Sequence, residues 1–418
     1  MIWKYRYKIL GILFSAWLLC YVDRMVMATA IAFIAQDLHL PPLVMGGVLS
    51  AFFAGYALMQ IPGGLLADRF GPRAVLTASI GWWSVLTALT GMVHGLTAML
   101  AVRVLFGVGE GPFPPSAAKT IASWFPRREV ARANGLLLAS TSIGATVAPL
   151  FVVVLIKSWG WRSVFYSLFA PGVAVACVVW LYVKNSPMQS AHVTPQELAD
   201  YEADTARPIS VRSALRESLR TSAVLWCALS MFFSNIVAWG LMNWLPTYLL
   251  QARGFGMEKM GAFAALTNLA GALGYPAGGY IADRYFKQKL RIPIVLGLAI
   301  SGVFTYLAAL APSGERACIY LLLVFFSINA ASTAINTLPM LLVSKHAVGG
   351  AYGIVNTAGQ LAGLLSPLLI GCVLNITHSN FEVVFYCLVG LCFMALYPAL
   401  QIKQSASSST PELSASRP

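Results

Sequence analysis

Residues 9–35 read ILGILFSAWLLCYVDRMVMATAIAFIA, and the only charges in that run are Asp23 and Arg24. The run is long enough to cross a bilayer, which takes about 20 apolar residues. An acid and a base therefore stand side by side near the middle of a membrane segment. A charge at the bilayer centre costs roughly 2.5–3.5 kcal/mol on insertion scales, so such residues face a protein interior or a water-filled cavity. Two readings stay open at this point. The pair is either a self-neutralising stitch between helices or part of an ion or substrate site.

The rest of the chain repeats this pattern. Of 418 residues, 58% are hydrophobic and only 10% are charged, against about 25% charged in soluble domains. Twelve apolar runs are expected to be spans, at about 9–35, 43–66, 74–94, 97–118, 129–156, 162–183, 222–250, 258–281, 292–311, 316–343, 348–374 and 381–402. The runs are continuous rather than alternating, which excludes a β-barrel reading. The fold class is an all-α polytopic membrane protein. The N-terminal Lys4, Arg6 and Lys8 before an apolar stretch imitate a signal peptide, but the stretch runs on too far and Leu19 is too large for a cleavage site.

The formal net charge is +13. With both termini on one side of a twelve-span chain, that side collects 21 of the 28 Lys and Arg residues and the other collects 5, leaving Arg24 and Arg103 inside the membrane. The positive-inside rule then places both termini in the cytoplasm. The excess charge is an orientation signal whose partner is the lipid bilayer; no nucleic acid is expected. Seven cysteines are scattered through the spans without metal spacing and read as small packing residues.

The chain divides as 1–184, a six-span unit; 185–221, a linker; 222–402, a second six-span unit; and 403–418, a polar tail read as disordered. Arg212, Arg216 and Arg220 recur every four residues in the linker, which fits either an amphipathic surface helix or a solvated connection. The two units look duplicated. Gly64-Leu65-Leu66-Ala67-Asp68-Arg69 recurs as Gly279-Tyr280-Ile281-Ala282-Asp283-Arg284, Gly135 and Pro149 recur as Gly353 and Pro367, and Val164-Phe165-Tyr166 recurs as Val384-Phe385-Tyr386. Parallel repeats place a substrate site between the halves near the midplane, with one half rocking on the other.

Span four supplies two further charges, Arg103 and Glu110, seven residues apart on one helical face and about 10 Å apart along it. That is too far for a salt bridge within the helix, but each can meet Asp23 or Arg24 across a neighbour. Pro112 is expected to bend the span. Asp23 and Glu110 are the only deep acids, hence the available proton carriers. A structural four-charge network is the alternative. Arg24 and Arg103 suit an anionic substrate, because guanidinium binds carboxylate bidentately. The second half offers neutral lining: Asn235, Trp239, Asn243, Asn329, Ser332, Thr333, Asn336, Asn356 and Gln360. Such side chains either contact a ligand or bond across helices.

The loop Gly64-x-x-x-Asp68-Arg69-x-Gly71-x-Arg73, with Tyr21-Val22-Asp23-Arg24, Gln60-Ile61-Pro62-Gly63-Gly64, Arg103 with Glu110, and Ser123-Trp124-Phe125-Pro126, resembles the major facilitator superfamily and, within it, the anion:cation symporters. The resemblance implies two pseudo-symmetric six-helix bundles and proton-coupled import of a small organic anion, foremost a sugar acid such as galactonate, glucarate or a hexuronate. It implies that Asp23 and Glu110 take protons, that Arg103 pairs with Glu110, and that Arg24 grips the substrate carboxylate. Tyr21, Tyr56 and Asn356 would line the cavity, joined by Trp239, Asn243 and Ser332 from the residue reading. Gly64, Asp68, Arg69 and Arg73 would form a cytoplasmic gate, with Asp68 latching against a helix N-terminus in the outward-facing state. Thr141 stands where galactonate-type members have Gln, which leaves room for a bulkier anion. With two acids, two protons could accompany a monoanion. No cofactor other than the coupling proton, no enzyme activity, a monomer, and a bacterial inner membrane are the remaining expectations. Rival readings are an importer of an aromatic or other carboxylate, a drug–proton antiporter, and a membrane sensor that binds the anion without moving it.

Overall fold

The structure, a computed structural model, describes residues 4–194, 197–198, 211–286, 289–344 and 347–402. The polar tail and most of the acidic part of the linker lie outside the described residues. The first half consists of α1 (Tyr5–Leu38), α2 (Pro42–Phe70), α3 (Pro72–Gly91), α4 (Leu96–Glu110), α5 (Phe113–Trp124), α6 (Arg127–Trp159) and α7 (Trp161–Tyr182). A short helix, α8 (Val211–Arg220), falls on the arginine repeat of the linker. The second half consists of α9 (Ser222–Gln251), α10 (Met257–Tyr285), α11 (Arg291–Ala309), α12 (Gly314–Leu342), α13 (Val348–Ile376) and α14 (Phe381–Gln401).

Among the described residues, eleven helices are long and apolar enough to cross a membrane, with α4 and α5 counted as one passage. The twelfth, α10, has the length at 29 residues, but glycines, Thr267, Asn268 and Tyr275 dilute its apolarity. Pro112 removes an N–H from the fourth passage, and Pro114 follows in the first turn of α5. The helix stops at Glu110 and restarts at Phe113, so the expected bend is a break.

Duplication is visible in the packing. The first half pairs α1 with α6, α2 with α4 and α3 with α7; the second pairs α9 with α13, α10 with α12 and α11 with α14. Glycines allow the close crossings. A Cβ on Gly107 would run into the α2 backbone at Phe52, and one on Gly274 into the α12 backbone at Phe326. The halves meet through α2 against α13 and α6 against α10.

That contact is one-sided. A Cβ at Gly46, Gly371 or Gly261 would collide with the opposite half, and all three lie toward the end remote from the termini, while one at Gly363, at the middle of α13, would meet the Phe53 ring of the first half. A Cβ at Gly135, Gly349 or Gly353, toward the terminal end, would meet nothing within 4 Å. Lys157 of α6 also pairs with Glu258 of α10 across the sealed end. The halves are therefore closed together at the far end and parted at the basic, terminal end.

Gly46→Val tests this contact, because its Cβ would meet the carbonyl oxygen and backbone of Pro367. Overpacking costs about 1–3 kcal/mol, enough to shift a balanced two-state equilibrium by about fivefold or more. In a cysteine-free background, maleimide labelling of Gly353→Cys from the basic side is expected to fall by that order when Gly46→Val is added. Unchanged labelling would mean that this contact does not hold the state.

Candidate functional site

The break after Glu110 is what places the site. It leaves the Glu110 side chain at the last turn of α4, facing α1 where α1 carries Cys20, Asp23 and Arg24. Asp23, Arg24, Arg103 and Glu110 are all at most 6% exposed. Arg24 donates both Nε and Nη2 to Oε1 of Glu110. The Cys20 thiol donates to the same oxygen at 3.1 Å. Oε2 of Glu110 is buried and has no hydrogen-bond partner among the described residues. Asp23 accepts a hydrogen bond from the Thr87 hydroxyl of α3 at 3.2 Å.

The Arg24 guanidinium is boxed by rings. It lies 4.4 Å from the Tyr56 centroid and 5.0 Å from those of Tyr21 and Phe52. Cation–π contacts of this kind hold a desolvated cation in place without neutralising it. Arg103 lies 5.0 Å from the Phe106 ring and 5.4 Å from the Phe52 ring. Its Nε has no hydrogen-bond partner, and it makes no ion pair among the described residues. The pairing of Arg103 with Glu110 implied by the family resemblance is thus not formed; Arg24 holds Glu110 instead. The reason is geometric. Seven residues of helix separate the α4 groups by about 10 Å, whereas α1 brings Arg24 directly to the break.

Two spaces adjoin this group. A cavity of about 130 Å³ between the halves is lined by Tyr21, Thr141 and Ser142 from the first half and by Asn235, Trp239, Asn268, Tyr275 and Asn329 from the second. A void of about 10 Å³ lies among Arg24, Phe52, Phe53, Arg103, Trp239 and Asn243. Trp239 is the shared wall, edge-on to Phe53 across the interface at 5.3 Å and 70°. Asn243 donates its Nδ2 to the Trp239 carbonyl at 2.8 Å. A larger cleft of about 380 Å³ is almost wholly apolar, runs along Leu66, Phe70, Trp82 and Pro112, and includes none of these charges.

Tyr21, Arg24, Tyr56, Trp239 and Asn243 therefore converge with Asp23, Arg103 and Glu110. Ser332 does not join them. It is buried in α12 and donates to the Ile328 carbonyl at 2.8 Å, the internal bond a helical serine makes when it has no other partner. Asn356 is half-buried on α13 and lines neither space. Sequence reasoning passed over Asn268, Tyr275 and Ser142. Asn268 also bridges the halves, donating to the Ala145 carbonyl at 2.8 Å. The signal was the low apolarity of the eighth run, whose one asparagine sits among glycines.

At the basic end, Asp68 pairs with Lys119 of α5 at 2.7 Å, and the same ammonium donates to the Ala67 carbonyl at 2.8 Å. Asp68 is thus held within its own half here, not against a helix N-terminus. Arg73 lies over Trp180 at 4.0 Å and donates Nε to its carbonyl at 2.8 Å. Arg69 lies 5.3 Å from Phe70. Gly64 faces Pro115, and Gly71, at φ +81°, makes the tight turn into α3.

Known proteins agree with this architecture. The Major Facilitator Superfamily model matches residues 12–367. A probable sulfoacetate transporter of Cupriavidus necator is 31% identical over 388 residues, covering 90% of this chain and 89% of its own. A probable L-galactonate transporter of Escherichia coli is 29% identical over 375 residues, covering 88% of this chain and 83% of its own. The crystal structure of a bacterial homologue of the human lysosomal transporter Spinster superposes with a TM-score of 0.77 at 21% identity, covering 95% of each chain.

Proposed function

We propose that this chain, which belongs to the major facilitator superfamily, imports a small organic anion, foremost a sugar acid, together with protons. It is a membrane transporter rather than an enzyme. Relatives named for sulfoacetate and L-galactonate transport support the anion class. One observation carries the coupling: Arg24, the cation best placed for an anion, is held by Glu110, a buried carboxylate with a free oxygen.

The sequence of events follows from charge. With no anion bound, Glu110 neutralises Arg24. A proton arriving on Glu110 removes the carboxylate's charge and frees the guanidinium. Arg24 then binds the substrate acid group in Glu110's place, with Trp239 and Asn243 closing over it from the second half. Anion and proton therefore enter together, because an unprotonated Glu110 competes for the same cation and a protonated one without anion leaves Arg24 unpaired at great cost. After release, Glu110 gives up its proton and retakes Arg24. Asp23 is the second acid within reach of Arg103. Seen against the charge asymmetry, the parted end is cytoplasmic and the described state is inward-open; a bacterial inner membrane with both termini inside is the matching location.

The anion class is tested by thermal stabilisation of the purified protein. At 10 Kd a ligand raises stability by about 1.4 kcal/mol. Galactonate, glucarate, a hexuronate or sulfoacetate is expected to raise Tm, more so at acidic pH, and tetraphenylphosphonium is not. Stabilisation by the lipophilic cation alone would favour the drug–proton antiporter.

A further inference from the structure

On the basic face of the second half, between the start of α11 and the end of α14, lies a cleft of about 460 Å³ remote from the charged centre. Its rim carries Lys289 and Arg291. Its walls are Ile292 and Leu296, one turn apart on α11, and Leu400 and Ile402 at the end of α14. Ile292, Leu296 and Leu400 are between 37% and 49% exposed, so apolar surface continues from the rim along the outer side of the bundle. On the same side of the first half, Lys119 pairs with Asp68 and Arg73 lies over Trp180. Lys289 and Arg291 make no ion pair among the described residues.

We infer that this cleft binds one anionic phospholipid. A cationic rim above an apolar groove matches an amphiphile with a phosphodiester above acyl chains. The guanidinium offers two parallel donors to phosphate and the ammonium a point charge. Two cations against one phosphate leave a positive excess, which a headgroup bearing its own ammonium would repel; phosphatidylglycerol fits better than phosphatidylcholine. Residues 403–418 are not a matching occupant. They hold Lys403 and Arg417 against Glu412, and no apolar run.

The test uses the full chain in detergent, titrated with phosphatidylglycerol or phosphatidylcholine and read by lipid retention in native mass spectrometry. Each basic residue near an anionic surface contributes about fivefold in affinity. Phosphatidylglycerol is therefore expected to bind of order twentyfold tighter than phosphatidylcholine. The double variant Lys289→Ala with Arg291→Ala should erase that preference. Leu296→Trp, which fills the groove but keeps both cations, should weaken phosphatidylglycerol as well. Three results would overturn the site: equal retention of the two lipids, full competition by millimolar inorganic phosphate, which marks a bare ion site, or a carbodiimide cross-link between Lys289 and Glu412 in the lipid-free protein, which marks the tail as occupant.

Discussion

Glu110→Gln transporter in proteoliposomes is expected to exchange labelled anion for unlabelled anion but to lose proton-driven accumulation. The neutral amide of that variant cannot compete for Arg24 as a carboxylate does, so the anion binds with no proton attached. The size of the effect follows from the gradient. One pH unit is worth 1.36 kcal/mol per coupled proton, or about tenfold accumulation. Removing the Glu110 proton should lower the accumulation ratio by about that factor while leaving exchange near the wild-type rate. The shape of the side chain is kept, so packing at the helix break is undisturbed. Accumulation that survives Glu110→Gln unchanged would move coupling to Asp23, whose partner is Thr87 and not a cation. Asp23→Asn then becomes the discriminating variant.

Arg24→Ala carries the second large effect. It removes the cation that the anion needs and leaves Glu110, which is fully buried, without a counter-charge. Truncating one partner of a buried charge pair costs about 2–5 kcal/mol, so anion affinity should fall by roughly 30- to 4,000-fold. Arg24→Lys keeps the charge but not the fork that reaches Oε1 through both Nε and Nη2. It is expected to fall between, with binding weaker by roughly tenfold. A fluorescence or thermal-shift titration measures both. Equal affinity in Arg24→Lys and wild type would mean that the anion sits elsewhere, and Arg103, buried and without an ion pair among the described residues, would be the next cation to test.

The parts of this arrangement differed in how far they could be read from residues alone. Two charges inside an uninterrupted apolar run can only face protein or water, so Asp23 and Arg24 announced a buried polar centre. Pro112 announced a bend, which the structure makes a full break. Duplicated motifs announced two halves, and the repeated helix pairings match them. Pairing across helices was less legible. Spacing along α4 excluded an internal Arg103–Glu110 bridge and left Asp23 and Arg24 as candidates across a neighbouring helix without choosing between them; in the structure Arg24 holds Glu110. Neutral polar side chains were the least legible. Ser332 and Asn243 both sit in apolar helices and both bond back four residues into their own helix, yet only Asn243 borders the charged group. That difference is set by helix rotation, which hydrophobic periodicity does not report when nearly every position is apolar. Asn268 and Tyr275 were hidden for the opposite reason, because α10 is so rich in small residues that no face stood out.

The state described also bears on the gate. Asp68 held by Lys119 and the parted basic end occur together. Under the alternating access proposed above, that end closes by bringing α2 toward α13 and α6 toward α10, where a Cβ at Gly135, Gly349 or Gly353 now meets nothing within 4 Å.

The most direct test of the central claim is uptake into proteoliposomes of labelled galactonate, glucarate, a hexuronate and sulfoacetate, with and without an inward proton gradient, while a pH electrode follows the external medium. If Glu110 and Arg24 couple anion to proton, one of these anions accumulates only under the gradient, and adding it alone turns the medium alkaline as protons enter with it. Equilibration to equal concentrations with no proton movement, or accumulation that follows sodium instead of protons, would contradict that coupling.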